Sequence, residues 1–209
     1  MIAGGNSSVQ VAKPWLSRFY DASLEKLYRE ARSAAAAALD LAPGLAILDV
    51  PCGTGQSFEA LREGIGDSGR IVGVDLSEGM LREATRRIEK HAWTNVEATV
   101  GDAGELAFPA ASFDRVHVFL GMSVFRDPDA VLDKLWSLLR PGGRCVIVDV
   151  FAEKLGVQGR LVNWTAGADI RRRSWEPLEL RCTSFERRDL PSKWQHGGTL
   201  FLAAGDKPR

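Results

Sequence analysis

Short apolar runs alternate with helical segments between residues 45 and 151, and this alternation constrains the fold more than any other feature. The runs are five to eight residues long and occupy Leu45–Val50, Arg70–Val74, Val96–Val100, Phe113–Leu120 and Arg144–Phe151. Helical segments lie between them at about Gln56–Gly64, Ser77–Lys90 and Asp129–Leu139. Runs that are apolar throughout are typical of parallel strands covered by helices on both faces. Strands and helices that take turns predict a doubly wound α/β sheet.

The flanking segments complete this predicted sheet. Apolar residues at helical spacing predict helices over residues 14–41 and 155–170. We expect a strand over 178–182, where leucine and cysteine alternate with charged residues, and another at Thr199–Ala204. The link between these two is too short for a helical crossover, so they should pair antiparallel. The expected fold is a Rossmann-like doubly wound sheet of seven strands, mostly parallel with an antiparallel C-terminal strand and helices on both faces.

The loop after the first strand carries the strongest sign of ligand binding. It reads Asp49-Val50-Pro51-Cys52-Gly53-Thr54-Gly55, and ligands of doubly wound sheets bind at the carboxyl ends of strands. Its two glycines let the backbone approach a ligand and expose N–H groups at the start of the next helix. A dinucleotide fingerprint would need glycine where this chain has Phe58, and a P-loop would need a following Gly-Lys-Ser/Thr. The loop therefore indicates a ligand with an adenosyl half and no pyrophosphate, and disfavours a nicotinamide dehydrogenase.

Two further carboxylates lie in register with Asp49. Asp75 ends the second strand, where an acidic side chain accepts hydrogen bonds from ribose hydroxyls. Asp102 follows the third strand, where it can accept from an adenine amino group beside the backbone of Ala103. Successive carboxylates are separated by about one β–α unit. Carboxylates at three successive strand ends predict a nucleoside site at this edge of the sheet.

Four segments together resemble the ordered motifs of class I S-adenosylmethionine-dependent methyltransferases: LDVPCGTG, IVGVDLSEGML, GDAGELAFPAASFDRV and LLRPGGRCVIVDV. They are most similar to the methyltransferase type 11 group, which includes ubiquinone- and menaquinone-biosynthesis enzymes, and the resemblance covers about residues 45–151. It implies S-adenosyl-L-methionine as the cofactor and S-adenosyl-L-homocysteine as its product. The residues that it implies for the cofactor site are Asp49, Gly53 and Gly55 around the methionine moiety, Asp75 at the ribose, Leu76 and Met80 near the adenosine, Asp102 and Ala103 at the adenine, and Phe119 and Gly121 closing the pocket.

Pro51 departs from the family pattern, which usually has glycine at this position. Proline lacks an N–H and has a fixed φ, so it is tolerated only where the ligand does not use that amide. We count Pro51 among the residues that line the cofactor site.

Methyl transfer from a sulfonium is a direct in-line displacement, so the protein mainly aligns the reactants. A general base is needed only where the acceptor must lose a proton before attack. Candidate catalytic residues are Tyr20, His117 and Asp149. Tyr20 and Tyr28 resemble lid tyrosines of the family that close over the cofactor, although aromatic residues at helical spacing are also typical of a core. We expect a structural role for His117 in the helix layer, and Asp149 lies near the end of the fifth strand, where it can face the acceptor.

The chain is expected to be one domain (residues 1–209) with three parts. These are an N-terminal lid helix (1–44), the cofactor-binding core (45–151) and an acceptor-side segment with the C-terminal strands (152–209). The last part contains Trp164, Trp175 and Trp194 around Arg171-Arg172-Arg173. The tryptophans either form a cage or wall for the acceptor or cover the sheet edge, and the arginines contact an anionic substrate, a lipid headgroup or only solvent.

Composition narrows the classes of partner. The 27 basic and 27 acidic side chains cancel, which disfavours duplex nucleic acid. The three cysteines have none of the spacings of a zinc site, so no metal is expected. No leader and no apolar run of membrane-span length is visible, so we expect a cytoplasmic monomer or homodimer, with peripheral membrane contact left open.

The predicted function is methyl transfer to a small-molecule or lipid-like acceptor. Two alternatives stay open. One is transfer of another group of the same cofactor, the aminocarboxypropyl group, and the other is a non-catalytic module that binds S-adenosylmethionine.

Overall fold

The computed structural model describes residues 28–191 and 197–209, with the side chains at 162, 165 and 166 left aside. The strands are β1 (Ala46–Asp49), β2 (Arg70–Asp75), β3 (Val96–Val100), β4 (Phe113–Phe119), β5 (Leu139–Phe151), β6 (Phe185–Asp189) and β7 (Thr199–Asp206). The helices are α1 (28–38), α2 (Phe58–Ile65), α3 (Glu78–Lys90), α4 (Pro128–Leu138), α5 (Val157–Ala166) and α6 (Glu176–Glu179).

The seven strands form one sheet in the order β3-β2-β1-β4-β5-β7-β6. The pairs from β3 to β5 are parallel, while β7 is antiparallel to both β5 and β6. This confirms the predicted mostly parallel sheet and its antiparallel C-terminal strand. The strand order reverses on the two sides of β1, which is where doubly wound sheets bind their ligands.

Buried side chains on the two faces of the sheet form separate apolar clusters. On one face Ile47 packs with residues of α1, α2 and α3 such as Ala35 and Leu61. On the other face Leu48 packs with residues of α4 and α6 such as Leu132. Neighbouring positions of β1 therefore serve opposite layers, because side chains alternate along a strand. Helices on both faces explain why the central strands β1 and β2 are mostly apolar, whereas the edge strand β3 is mostly exposed.

The segment 178–182 is not a strand, and this part of the prediction was wrong. Pro177 stands in the first turn of the short helix α6, where its fixed φ favours helix initiation. Leu178 is completely buried whereas Leu180 is exposed, so the alternation of apolar and charged residues there reflects a helical turn. The edge strand β6 begins three residues later, at Phe185.

Helix α1 runs along β4 from its carboxyl end to its amino end. Tyr28 packs edge-on against Phe119 at the end of β4, with ring centroids 5.8 Å apart. Near the start of β4, the Arg115 guanidinium donates to the carbonyl oxygens of Leu39 and Asp40. Residues 14–27 of the predicted helix lie outside the described residues. Within 28–191 and 197–209, no helix is both long and apolar enough to cross a membrane.

Candidate functional site

The three predicted carboxylates lie along one edge of the sheet. Asp49 ends β1, Asp75 ends β2, and Asp102 follows β3 by two residues. Because β3, β2 and β1 are parallel neighbours, their carboxyl ends meet at the same edge. The structure therefore brings together the residues that the spacing predicted.

The glycine loop, residues 49–55, joins β1 to the turn before α2. Gly53 and Gly55 have φ of 55° and 73°, a conformation that favours glycine. A Cβ at Gly55 would lie 2.6 Å from the Phe58 ring, whereas a Cβ at Gly53 would meet nothing within 4 Å. The loop is tied to β2, since the Cys52 amide donates to the Val74 carbonyl at 2.9 Å. Backbone therefore lies open at Gly53, where a ligand can approach it.

Pro51 fits the loop because no backbone bond of the sheet needs an N–H there. The Val50 amide donates to the His117 carbonyl, the Cys52 amide to that of Val74, and the Val50–Pro51 peptide is cis. The proline ring packs against Gly121 after β4, where a Cβ would lie 2.3 Å from Pro51 Cδ. Gly121 thus makes room for the ring.

Phe58 lies under the glycine loop and is completely buried. Its ring reaches Gly73 of β2, where a Cβ would lie 2.6 Å from Phe58 Cζ. In a dinucleotide fingerprint the third glycine permits close packing of helix against strand. Here a phenyl ring fills that contact as a spacer between helix and sheet, so the chain departs from the dinucleotide pattern at this position.

Asp49 and His117 form a buried pair on neighbouring strands. They are register partners in β1 and β4, each is 1% exposed, and His117 Nδ1 lies 2.7 Å from Asp49 Oδ1. A carboxylate oxygen only accepts, so His117 Nδ1 carries the proton that is shared with it. Asp49 Oδ2 is buried and has no hydrogen-bond partner within the described part of the chain. A buried carboxylate oxygen without a donor is costly, and a bound donor would relieve that cost.

Asp75 is half-buried and accepts two backbone hydrogen bonds. Its Oδ2 accepts from the Gly53 amide at 2.9 Å and its Oδ1 from the Ser77 amide at 2.8 Å. Burial raises the pKa of this carboxyl, and the nearby Asp49 charge adds to the rise, although both amide bonds oppose it. The same residue therefore anchors the glycine loop and begins the turn into α3, whose N-cap is Ser77 as predicted.

The remaining predicted cofactor residues flank these carboxylates. Leu76 is exposed and Met80 half-buried on the approach to α3, while Asp102 is exposed and Ala103 buried after β3. Asp102 Oδ1 accepts from the Gly104 amide at 2.9 Å. Their roles toward a ligand stay predictions.

Phe119, at the end of β4, is covered by side chains of α1. Tyr28 packs on it, and the Arg32 guanidinium carbon lies 5.2 Å from the Phe119 ring centroid. Tyr28 is buried in this contact. Tyr20, the other predicted lid tyrosine, lies outside the described residues.

Asp149 is completely buried and does not face open space. Its Oδ2 accepts from the Ser123 amide and its Oδ1 from the Ser123 hydroxyl, both at 2.8 Å, while the Val150 amide also donates to Oδ1. Burial raises the pKa of the carboxyl against these bonds. Asp149 therefore holds the loop after β4. The sequence offered no signal for Ser123 as its partner, because 26 residues separate them.

The acceptor-side aromatic and basic residues separate in the structure. Trp175 is buried against Phe201 of β7, Trp164 is exposed on α5, and Trp194 lies outside the described residues. The three predicted arginines each bond to residues of this chain: Arg171 and Arg172 to Asp169, Arg172 to the Phe125 carbonyl, and Arg173 to Glu176. Two of them thus share Asp169, while the third bonds to α6.

Comparison with known proteins agrees with the geometry of this edge. Residues 47–143 match the family described as methyltransferase domain. These residues, a little under half of the chain, are therefore similar to a methyltransferase domain, and they are called the methyltransferase domain below. The match begins within β1 and ends within β5, and it includes the glycine loop and all three carboxylates.

Relatives of the methyltransferase domain are similar mainly over this core. The chain is 40% identical over 106 residues to demethylmenaquinone methyltransferase of Lactococcus lactis, covering 51% of this chain and 42% of the relative. It is 34% identical over 129 residues to nocamycin O-methyltransferase of Saccharothrix syringae, covering 62% and 46%. The chain thus spans less than half the length of either relative.

A solved structure shares the fold over nearly the whole chain. Phosphoethanolamine N-methyltransferase 2 of Haemonchus contortus superposes with a TM-score of 0.79 at 16% identity, covering 96% of this chain and 59% of that one. At this identity the similarity concerns the fold. Fold alone does not identify an acceptor.

Proposed function

We propose that the methyltransferase domain transfers a methyl group from S-adenosylmethionine to a small-molecule or lipid-like acceptor. The observation that carries the proposal is the buried Asp49 Oδ2 beside the glycine loop, which has no hydrogen-bond partner among residues 28–191 and 197–209. The cofactor has an α-ammonium group, a donor of the kind that this oxygen lacks. The residues present therefore fit the cofactor, which supplies an electrophilic methyl group on sulfur when it is bound.

Each residue of the edge has a distinct task in this proposal. Asp49 accepts from the ammonium group, and Asp75 accepts from the ribose hydroxyls. Asp102 and the Ala103 backbone bind the adenine, while Leu76 and Met80 cover the adenosine. Gly53 lets the backbone approach the methionine half, because it has no side chain and a Cβ there would meet nothing within 4 Å, while Gly55 makes room for the Phe58 ring under the loop.

The protein accelerates the transfer by alignment. Displacement at a methyl carbon needs the nucleophile, carbon and sulfur in line, and holding reactants in that geometry lowers the barrier. Asp149 is enclosed by its bonds to the loop after β4, and His117 is bonded to Asp49. We therefore assign both to positioning, and a general base is needed only where the acceptor must lose a proton before attack.

The relatives suggest the acceptor class. The names of the two curated relatives refer to a quinone precursor and to an O-methylated natural product, both small molecules. We propose an acceptor of similar size that enters beside the segment after β5, the acceptor-side part of the chain. Transfer of the aminocarboxypropyl group and binding without transfer are the competing functions.

Calorimetry with S-adenosylhomocysteine and NAD tests the cofactor. We expect the wild type to bind S-adenosylhomocysteine and not NAD. Asp75→Ala should weaken S-adenosylhomocysteine binding at least about tenfold, because it removes a charged hydrogen-bond acceptor. Asp129→Ala, at an exposed position in α4, is the matched control and should leave binding unchanged. NAD binding, or equal binding by the wild type and Asp75→Ala, contradicts the assignment.

Labelled cofactor then distinguishes the three functions. With a panel of phenols, amines, thiols and quinols, methyl-labelled S-adenosylmethionine should yield a labelled product and carboxyl-labelled S-adenosylmethionine should not. The reverse result identifies aminocarboxypropyl transfer. Tight binding without transfer to any acceptor supports the binding module.

A further inference from the structure

Helix α5 presents a continuous apolar stripe to solvent. Val157, Leu161 and Trp164 are 87%, 57% and 77% exposed. They are spaced four and three residues apart, so they lie on one face of the helix. Large apolar side chains that are exposed as a contiguous group usually mark an interaction surface.

The opposite face of α5 is packed, which fixes the direction of the stripe. Gly159 is buried, and a Cβ there would lie 3.1 Å from the Gly197 carbonyl oxygen and 3.1 Å from Leu155 Cδ2. Ile170 adds a further contact at 3.5 Å. Close approach at a glycine holds the helix against the body of the protein, so the stripe faces outward.

Helix α5 stands at the same edge of the sheet as the cofactor site. It begins six residues after Phe151, where β5 ends. The Ala152 amide donates to the Ile170 carbonyl at 2.8 Å and closes the segment that contains α5. Gly197 precedes β7, which is antiparallel to β5 and so starts at this edge. A partner that binds the stripe would therefore lie at the same edge of the sheet as the glycine loop.

The charge beside the stripe is weakly basic. Residues 151–171 contain three basic and two acidic side chains, whereas Arg172 and Arg173 bond to the Phe125 carbonyl and to Glu176, on the side of α4 and α6. Helix α5 itself contains Arg160, which is exposed, and no acidic residue. Lys154 and Arg171, before and after the helix, are also exposed.

We propose that this stripe, with its basic flanks, docks on the surface of an anionic lipid bilayer. A short helix with an apolar face and basic neighbours lies in the plane of the headgroups, and tryptophan favours that interface. Basic residues beside it gain electrostatic attraction from anionic lipids. The docking orients the cofactor edge toward the bilayer, so an apolar acceptor can enter without crossing water. The lipid contact itself does not depend on methyl transfer.

Vesicle sedimentation with the full chain tests the proposal. The probes are vesicles of phosphatidylcholine alone and vesicles with about one third phosphatidylglycerol. We expect binding to the anionic vesicles that weakens at high salt, because exposed charges are screened. The variant Val157→Gln/Leu161→Gln/Trp164→Gln should bind at least about tenfold more weakly, since it removes the apolar contact. Arg160→Gln should cost about fivefold, the effect of one basic residue near an anionic surface.

Leu180→Gln is the matched control, because Leu180 is 87% exposed on the opposite face of the sheet. It should bind vesicles as the wild type does. Quenching of tryptophan fluorescence by brominated lipids gives a second readout, which does not require a polar substitution in the stripe. The wild type should be quenched more than Trp164→Phe. Absence of anionic-vesicle binding, equal weakening by Leu180→Gln, or equal quenching overturns the proposal. A wild-type dimer that the triple variant abolishes, without vesicle binding, would instead identify the stripe as a contact between copies of the chain. Each of these results is independent of whether S-adenosylhomocysteine binds.

Discussion

The buried Oδ2 of Asp49 allows a specific test of the proposed cofactor site. Asp49→Asn preserves the shape of the side chain and keeps an oxygen that can accept from His117 Nδ1. It removes the negative charge and replaces the free Oδ2 with an amide group that donates. The substitution therefore changes only what the site can offer to a bound cation.

The expected magnitude follows from the burial of this oxygen. A hydrogen bond to a charged group contributes about 1.5–3 kcal/mol, which corresponds to about 10- to 150-fold in affinity. Asp49 is 1% exposed, so solvent does not compensate for the lost contact. We expect Asp49→Asn to weaken S-adenosylhomocysteine binding by an amount within this range.

A ligand without the ammonium group supplies the control. 5′-Methylthioadenosine has the same nucleoside and sulfur but no amino acid half, so its affinity should be nearly equal for the wild type and Asp49→Asn. Calorimetry on both proteins with both ligands gives the comparison. Equal losses for the two ligands would mean that the substitution disturbs the whole pocket. No loss for either ligand would refute the assignment of Asp49 to the ammonium group.

Three further predictions concern the same edge of the sheet. His117→Phe leaves both oxygens of its carboxylate partner without a donor and should lower the free energy of unfolding by about 3 kcal/mol in urea titrations. His117→Gln keeps a donor and should lower it by about 1 kcal/mol. Equal losses for the two variants would contradict the pairing. Gly121→Ala places a methyl group 2.3 Å from the proline ring of the glycine loop and should lower the free energy of unfolding by about 1–3 kcal/mol. Gly79→Ala, in a helix where a Cβ would have no contact closer than 3.6 Å, should not lower it. Thermal unfolding of both variants measures the difference. The pKa of Asp75 is raised from its ordinary 3.8, so the folded protein binds this proton more tightly than the unfolded chain does. The contribution of Asp75 to the free energy of unfolding therefore falls as pH rises from 3.8 through the pKa of the folded protein. Asp75→Asn has no proton to lose there, so its free energy of unfolding, measured by urea titration, should fall less over this pH range than that of the wild type. Parallel pH profiles for the two proteins would show that burial does not perturb the carboxyl.

The fold was predictable because short strand-like runs alternate with helical segments, and the runs that form β1 and β2 are mostly apolar. Runs of this kind specify buried parallel strands without any knowledge of the pairing. The exception was the segment before β6, where Leu178 and Leu180 stand two residues apart. That spacing fits either a half-buried strand or a turn of helix. The segment forms a helix because Pro177, in the first turn, favours helix initiation.

The candidate site was predictable in its carboxylates and not in its pairings. Asp49, Asp75 and Asp102 follow strands that are also neighbours in the sheet, so their placement follows from the topology. The contact of Asp49 with His117 joins residues 68 positions apart and depends on the register of β1 against β4. Register across such a distance is set by packing of the whole sheet, which no local pattern encodes.

The contact between Pro51 and Gly121 predicts a pattern in the evolution of related chains. The proline ring fits only because position 121 has no side chain. Relatives with glycine at the position of Pro51 leave that space empty, and they are free to carry alanine or serine where this chain has Gly121. Relatives with proline at the first position should retain glycine at the second. The two positions are 70 residues apart in the sequence, one in the glycine loop and one after β4, and we expect them to covary.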